Sequence, residues 1–252
     1  MTNNTYFSQK NQMKYMSASQ FKAFLKCEAA ALAELRGEYV RPQTAALLVG
    51  SYVDAYFEGT ADAFTAAHPE MFTRQSTLKS EFQHANKIIA RITQDKLFMQ
   101  MLSGKKQVIK TGKIGGVPFK IKMDSYFPEK LIVDLKIMKD FQPVWNADKQ
   151  QKVHFIEAWG YDIQGAVYQA IEGHHLPFFI AAATKEPEPD IAVLSVPQTV
   201  LDAQRNMVET LAPRFRDLKR GVGTPERCEH CDYCKRTKKL TEIVDYTTLG
   251  DL

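Results

Sequence analysis

The chain has 252 residues, 44% of them hydrophobic and 25% charged; its 33 basic and 29 acidic residues leave a net charge of +4. Fifteen Phe, ten Tyr and nine Met supply a core and exclude a disordered chain. The longest apolar run, 176–183, is too short to span a bilayer, and the polar start MTNNTYFSQKNQ has no signal-peptide core, so the expected location is the cytoplasm without membrane attachment.

From the N-terminus, Ser17 and Gln20 read as a capping box with Met16 as the hydrophobic staple. They open a helix that runs through FKAFLKCEAAALAELRG and ends at Gly37. A second helix is expected over about 45–57, after Pro42. A third, over about 77–102, carries Phe82, Ile88, Ile89, Ile92, Phe98 and Leu102 at helical spacing. The period then changes to alternation, which predicts strands over 107–111, 117–127 and 131–137 with turns at 112–116 and 128–130. A long helix over about 155–172 follows, then strands over 178–184 and 190–196 around the turn KEPEP, and a last helix over about 198–221. This order predicts one α/β domain over 1–252: a central mixed β-sheet flanked by helices, with a helical N-terminal part (about 17–102) and a C-terminal cysteine segment (228–234).

Cysteine is the unusual entry in the composition, with only Cys27, Cys228, Cys231 and Cys234. Three lie in CEHCDYC, whose two-residue gaps let successive sulfurs aim at one centre, as in iron–sulfur motifs. Without a secretory signal, disulfides are not expected. A tetrathiolate site needs Cys27 as its fourth ligand and would tie the two ends of the chain together. The alternatives are zinc held by the triplet with His230, or no metal and an ordinary buried Cys27.

The second and third strands carry charge in an apolar setting. Val117, Phe119, Ile121 and Met123 alternate with Lys120, Lys122 and Asp124; Leu131, Val133, Leu135 and Ile137 alternate with Asp134 and Lys136. If residues 128–130 are a three-residue turn, Phe127 pairs with Leu131 and Asp124 faces Asp134, at a Cβ separation of roughly 5 Å. Two opposed carboxylates repel, and a cation between them resolves the repulsion; oxygen ligands suit Mg²⁺ or Mn²⁺. The bland alternative is a pair of solvent-facing charges on a one-sided sheet. Against it stands the apolar context of Asp134 and Lys136, since burying charge is costly.

Asp124 followed by Asp134-Leu135-Lys136 resembles the core of the PD-(D/E)XK nucleases. Gln164-Gly165-Ala166-Val167-Tyr168 is similar to the Q-x-x-x-Y motif of the RecB/AddB/RecE branch. Gly50-Ser51-Tyr52-Val53-Asp54 resembles that branch's G-x-x-x-H motif with Asp for His, and the split cysteines resemble the iron–sulfur staple of AddB. The layout is most similar to the phage RecE-type (exonuclease VIII) exonucleases. The resemblance spans residues 27–234, although the cysteine spacing is tighter than that of AddB-like proteins.

The resemblance implies a restriction-endonuclease-like fold and a Mg²⁺- or Mn²⁺-dependent exodeoxyribonuclease acting on linear double-stranded DNA in phage-type recombination. Asp124 and Asp134 would hold the metal with the Leu135 carbonyl, and Lys136 would position water or stabilise the transition state. Asp54 would complete a second metal site or orient a water, unless it is a plain helix residue. Gln164 and Tyr168 would face the DNA, with Tyr161 on the same side and Glu81 a further acidic candidate. The cysteines would hold a 4Fe–4S cluster, with Zn²⁺ as the alternative. A single-strand annealing partner and a homo-oligomer are also implied. Lys105, Lys106, Lys110, Lys113, Lys120 and Lys122, with Lys235, Arg236, Lys238 and Lys239, are candidate phosphate contacts, or solvated surface. The competing functions are a non-catalytic DNA-binding module of the same fold and an iron–sulfur redox protein.

Overall fold

The computed structural model describes residues 1–147, 149–241, 243, 245 and 247. Two short helices, α1 (Asn3–Tyr6) and α2 (Gln9–Lys14), precede α3 (Ala18–Lys26) and α4 (Glu28–Arg36). The Ser17 hydroxyl caps α3 by accepting from the Gln20 N–H, but the Gln20 side chain turns to Gln12 instead of closing a capping box. The single helix expected up to Gly37 is broken at Cys27, whose backbone is extended and whose sulfur caps α4.

Next come α5 (Ala45–Glu58), α6 (Ala61–Ala67), α7 (Ser80–Thr93) and α8 (Lys96–Met101). The expected third helix divides where the Asp95 carboxylate accepts from the Phe98 N–H and starts α8. The strands β1 (Lys105–Ile114), β2 (Val117–Phe127) and β3 (Leu131–Met138) follow, and then β4 (Val144–Asn146) and β5 (Gln151–Val153), a small hairpin that alternation did not reveal. Helices α9 (Phe155–Ala158) and α10 (Tyr161–Glu172) replace one long helix, because Gly160 at φ +62° breaks it. Strands β6 (Phe178–Thr184) and β7 (Ile191–Ser195), the long α11 (Gln198–Lys219) and α12 (Asp232–Thr237) complete the chain. Among the described residues, no helix is long and apolar enough to cross a membrane.

The main sheet has the order β1-β2-β3-β6-β7, parallel between β3 and β6 and antiparallel elsewhere, which is the mixed sheet expected. Both of its faces are covered. One core joins Phe119, Ile121, Ile132 and Phe178 to α3, α10 and α11, with Phe24 stacked on Phe215 at 5.1 Å. The other joins Val133, Leu135, Ala181 and Ala183 to α5, α7 and α8. The alternating charges are therefore not on a one-sided sheet: Asp134 is 2% exposed and Lys120 is fully buried. The Lys120 ammonium is satisfied by the Tyr6 carbonyl and by Gln12 Oε1 at 2.9 Å, so the N-terminal segment lies where solvent was expected.

Two contacts fix α10 against the sheet. Gly165 packs face-on, since a Cβ there would fall 2.5 Å from the Phe178 ring. At the helix end, the buried Glu172 carboxylate accepts from Tyr126 Oη at 2.8 Å, Lys110 Nζ at 3.0 Å and the His174 N–H at 3.0 Å. Burial alone would raise this carboxyl, but these donors outweigh it and pull it from 4.5 down to about 2. A depressed folded-state pKa adds stability above the unfolded value and loses it in acid. Glu172→Gln should therefore cost about 1–3 kcal/mol at neutral pH. In urea titrations across pH, its difference from wild type should shrink as pH falls from 4.5 towards about 2.

Candidate active site

The predicted hairpin register is observed: Phe127 pairs with Leu131, Tyr126 with Ile132 and Ser125 with Val133. The ladder ends one step before Asp124 would meet Asp134. There the strands part, and Asp124 Oδ2 accepts from the Leu135 N–H at 3.1 Å. The separation opens room beside β3 at the level of its two charged residues.

Asp134 is the most enclosed acid of the group. Its Oδ1 accepts from Gln164 Nε2 at 2.6 Å, and its Oδ2 is ion-paired with Lys136 Nζ. That Oδ2 is buried and accepts no hydrogen bond of acceptable geometry, so the Lys136 ion pair, with the charge of Lys22 behind it, compensates it. Lys136 Nζ also donates to the Leu135 carbonyl at 3.2 Å and stands 5.3 Å from the centre of the Tyr161 ring. Burial alone would lower this ammonium, but Asp134 and Asp124 outweigh it and hold it above the ordinary lysine range.

Asp54 enters from α5. Burial pushes its carboxyl up to about 7, with Asp134 and Glu58 adding to the effect and Lys136 opposing it. Burial, with Asp134 and Asp54, likewise raises Asp124 well above the carboxylate range. Two residues that sequence reasoning missed complete this side. Glu58 lies one helical turn after Asp54, a spacing that places both on one face. Gln107, at the unusual φ of +53°, donates its Nε2 to Glu58 and to Asp124 Oδ1 at 3.4 Å. A cavity of about 10 Å³ lies between Asp54, Glu58, Lys106, Gln107, Asp124 and Leu135. It has room for about one water-sized occupant.

Gln164 and Tyr168 lie one turn apart on α10, as their spacing predicts, but their polar atoms are directed to the protein. Gln164 holds Asp134, and Tyr168 Oη donates to the Lys122 carbonyl at 2.8 Å with its ring edge-on to Phe178. Both are buried, and in this arrangement the pair braces β2 and β3. Tyr161 does join the site, its ring centre also 5.3 Å from Lys22 Nζ. Burial and the neighbouring Lys136 lower Lys22 to about 8. Glu81, on α7, takes its hydrogen bond from the adjacent Ser80.

The candidate lysines divide. Lys110 is committed to Glu172, Lys106 to the Leu102 carbonyl and Lys120 to the N-terminal segment, whereas Lys105 and Lys113 are exposed. Arg236 lies over the Tyr39 ring at 4.9 Å. Lys106 nevertheless lines the cavity beside Asp54 and Asp124, and the charge of Lys122 acts on Asp54 and Glu58. Lys22 of α3, which sequence reasoning did not single out, feels the charge of Asp134.

The donor set suits a hard divalent cation. It combines the carboxyl oxygens of Asp54, Asp124 and Asp134, a buried Oδ2 without a hydrogen-bond donor, and a carbonyl, that of Leu135, within reach of Lys136. Among the described residues, the only group of three or more His, Cys, Asp or Glu whose ligand atoms gather within 4.8 Å of one another is the four cysteines. The carboxylates are spaced by Lys136 and Gln107. Cys27 is thus brought to the triplet, and the alternative ligand His230 is not part of the group.

A family model described as a PDDEXK-like domain of unknown function (DUF3799) matches residues 17–237. The crystal structure of a protein from Eubacterium rectale described as a "putative exonuclease" superposes with a TM-score of 0.94, at 44% identity, over 99% of this chain and 98% of that one. The structure of SSO0001 is 11% identical over 76% of this chain and 85% of that one, with a TM-score of 0.28, too low to carry an argument. No curated protein matches.

Protons compete with a cation for these acids, so Mn²⁺ affinity should weaken as pH falls below about 7, the value to which Asp54 is raised. Calorimetry in buffers of different ionisation enthalpy should show protons released on binding near that pH. Asp54→Asn should reduce the release, and Asp134→Asn should abolish the binding heat.

Proposed function

The chain belongs to the PDDEXK-like domain family, within the PD-(D/E)XK nuclease superfamily, and on that premise we propose that it is a divalent-metal-dependent deoxyribonuclease acting on linear double-stranded DNA. The observation that carries this reading is Asp134, a buried carboxylate on the central strand, gripped by Gln164 and Lys136 and faced by Asp124 and Asp54. A purely structural strand has no physical reason to carry this group of charges, because desolvating them costs several kcal/mol.

Asp124 and Asp134 would hold the cation, with the Leu135 carbonyl, and Asp54 would add a ligand on the α5 side. A divalent cation bound there would polarise the scissile phosphate and make a water more acidic. Gln164 fixes the Asp134 rotamer and leaves Oδ2 turned towards Lys136. Lys136 is placed to stabilise negative charge that develops on the phosphate, and the Tyr161 ring limits where its ammonium can stand. Glu58 and Gln107 orient Asp124 from the other side.

A cleft of about 690 Å³ supports a nucleic-acid substrate. Lys22, Lys26, Arg41 and the half-exposed Trp159 line it, and Lys26 Nζ lies 5.9 Å from the Trp159 ring centre. Cations beside an exposed aromatic ring suit a phosphate backbone and a stacked base. The motif order supports exonuclease action in recombination, with a strand-annealing protein receiving the product.

End-labelled linear and covalently closed circular duplexes test the reading. Linear DNA should be degraded with Mg²⁺ or Mn²⁺ and closed circles spared. Asp134→Ala should reduce the rate at least about 10³-fold, and Lys136→Met about 10²–10³-fold, while the proteins stay folded by circular dichroism. Undiminished cleavage in excess chelator would refute the metal requirement. Salt-sensitive DNA binding without any metal-dependent product would favour a non-catalytic module.

A further inference from the structure

The second cluster of ligand-type side chains lies away from the carboxylates, where the ends of the chain meet. The Sγ atoms of Cys27, Cys228, Cys231 and Cys234 all lie within 4.8 Å of one another, with Cys27 3.6 Å and Cys228 4.0 Å from Cys234. The resemblance to AddB-like nucleases implies a 4Fe–4S cluster at this place, so the sulfur spacing is a test of fit.

A single tetrahedral ion with metal–sulfur bonds of about 2.3 Å sets its four sulfurs about 3.8 Å apart. A cubane carries each thiolate on a separate iron, which spreads the four sulfurs to about 6 Å. The observed separations match the first and fall well short of the second. The sulfurs are also pinned by the backbone. Cys27 Sγ accepts from the Ala30 N–H and Cys228 Sγ from the Cys231 N–H, each at 3.4 Å, and Cys231 Sγ accepts from the Cys234 N–H at 3.5 Å. Such amide donors orient thiolate ligands and offset part of their charge.

The surroundings hold the sulfurs close. Ala29, Ala30 and Tyr233 pack on the four cysteines, and Cys27 is fixed as the N-cap of α4. The Glu28 carboxylate next to it accepts from Arg214 Nε at 2.5 Å and from the Glu226 N–H at 2.7 Å, locking α4 to α11 and to the approach of the cysteine triplet. A closed set of four thiolates with no open position is a structural site, and tetrahedral thiolates bind Zn²⁺ more tightly than Fe²⁺.

We propose that the four cysteines form a mononuclear zinc site that clasps the two ends of the chain, in place of the iron–sulfur cluster that the resemblance implies. The full chain, purified anaerobically without added metal, is analysed for zinc, iron and acid-labile sulfide and by visible absorption. One zinc per chain, with no sulfide and no visible band, is the expected result. Four irons and four sulfides, one iron, or no metal would each overturn the proposal. A second measurement needs no variant. A thiol-reactive mercurial with a chelator should release one zinc and lower the melting temperature by about 5 °C or more. After the mercurial is removed with excess thiol, Zn²⁺ should restore the melting temperature, and Fe²⁺ with sulfide should not. Restoration by iron and sulfide alone, or release of zinc without any change in melting, would also overturn it.

Discussion

The structure turns on one expensive placement, the buried Asp134 in the middle of the central strand. A carboxylate 2% exposed must be compensated, and its neighbours are arranged for that task. Gln164 reaches it from α10, Lys136 from two residues along the strand, and the parting of β2 from β3 frees the Leu135 N–H for Asp124. The requirement explains why α10 must sit so close. Glycine at 165 lets the helix settle on Phe178, and the Glu172 cluster holds its far end. Tyr168 ties the same helix to β2. The packing that stabilises the sheet and the packing that positions the acids are the same packing.

The N-terminal segment is held by buried cations. Lys120 takes the Tyr6 carbonyl, and Lys219 donates to the Gln12 and Tyr15 carbonyls and to Gln20 Oε1. Burial lowers both lysines to about 8. Backbone carbonyls and glutamine amide oxygens, rather than carboxylates, satisfy these ammoniums, so α1 and α2 lie against β2 and α11. At the other end, Arg214 gathers Glu28 and Glu226 beside the four sulfurs. The N-terminal segment and the cysteine segment thus converge on the helices that cover one face of the sheet, and distant parts of the sequence become one body of packing.

Much of this was legible in the residues. Alternation located β2 and β3 nearly to the residue, because apolar positions at period two must face a core, and the turn KEPEP set off β6. The three-residue turn placed Phe127 on Leu131, and with it the level of Asp124 and Asp134. Helix breaks were harder to see. Cys27, Asp95 and Gly160 each end one helix and start another, and apolar periodicity runs through such breaks because both helices bury the same side. The β4–β5 hairpin is too short to show a period. Lys120 and Lys110 read as surface charge because a sequence pattern separates polar from apolar residues and cannot show what covers a polar one.

What the sequence by itself determined is the chemistry available: three aspartates, a lysine two residues after one of them, a glutamine and tyrosine one turn apart, and thiols at ligand spacing. These follow from side-chain type and local period. Only the tertiary structure decided which of them meet. It turned Gln164 and Tyr168 inward, brought Glu58 and Gln107 to Asp124, set Lys22 beside Tyr161, and carried Cys27 to Cys234 across 207 positions. The reason is physical: contacts between distant residues depend on how both faces of the sheet are filled, and that is settled only when the whole chain packs.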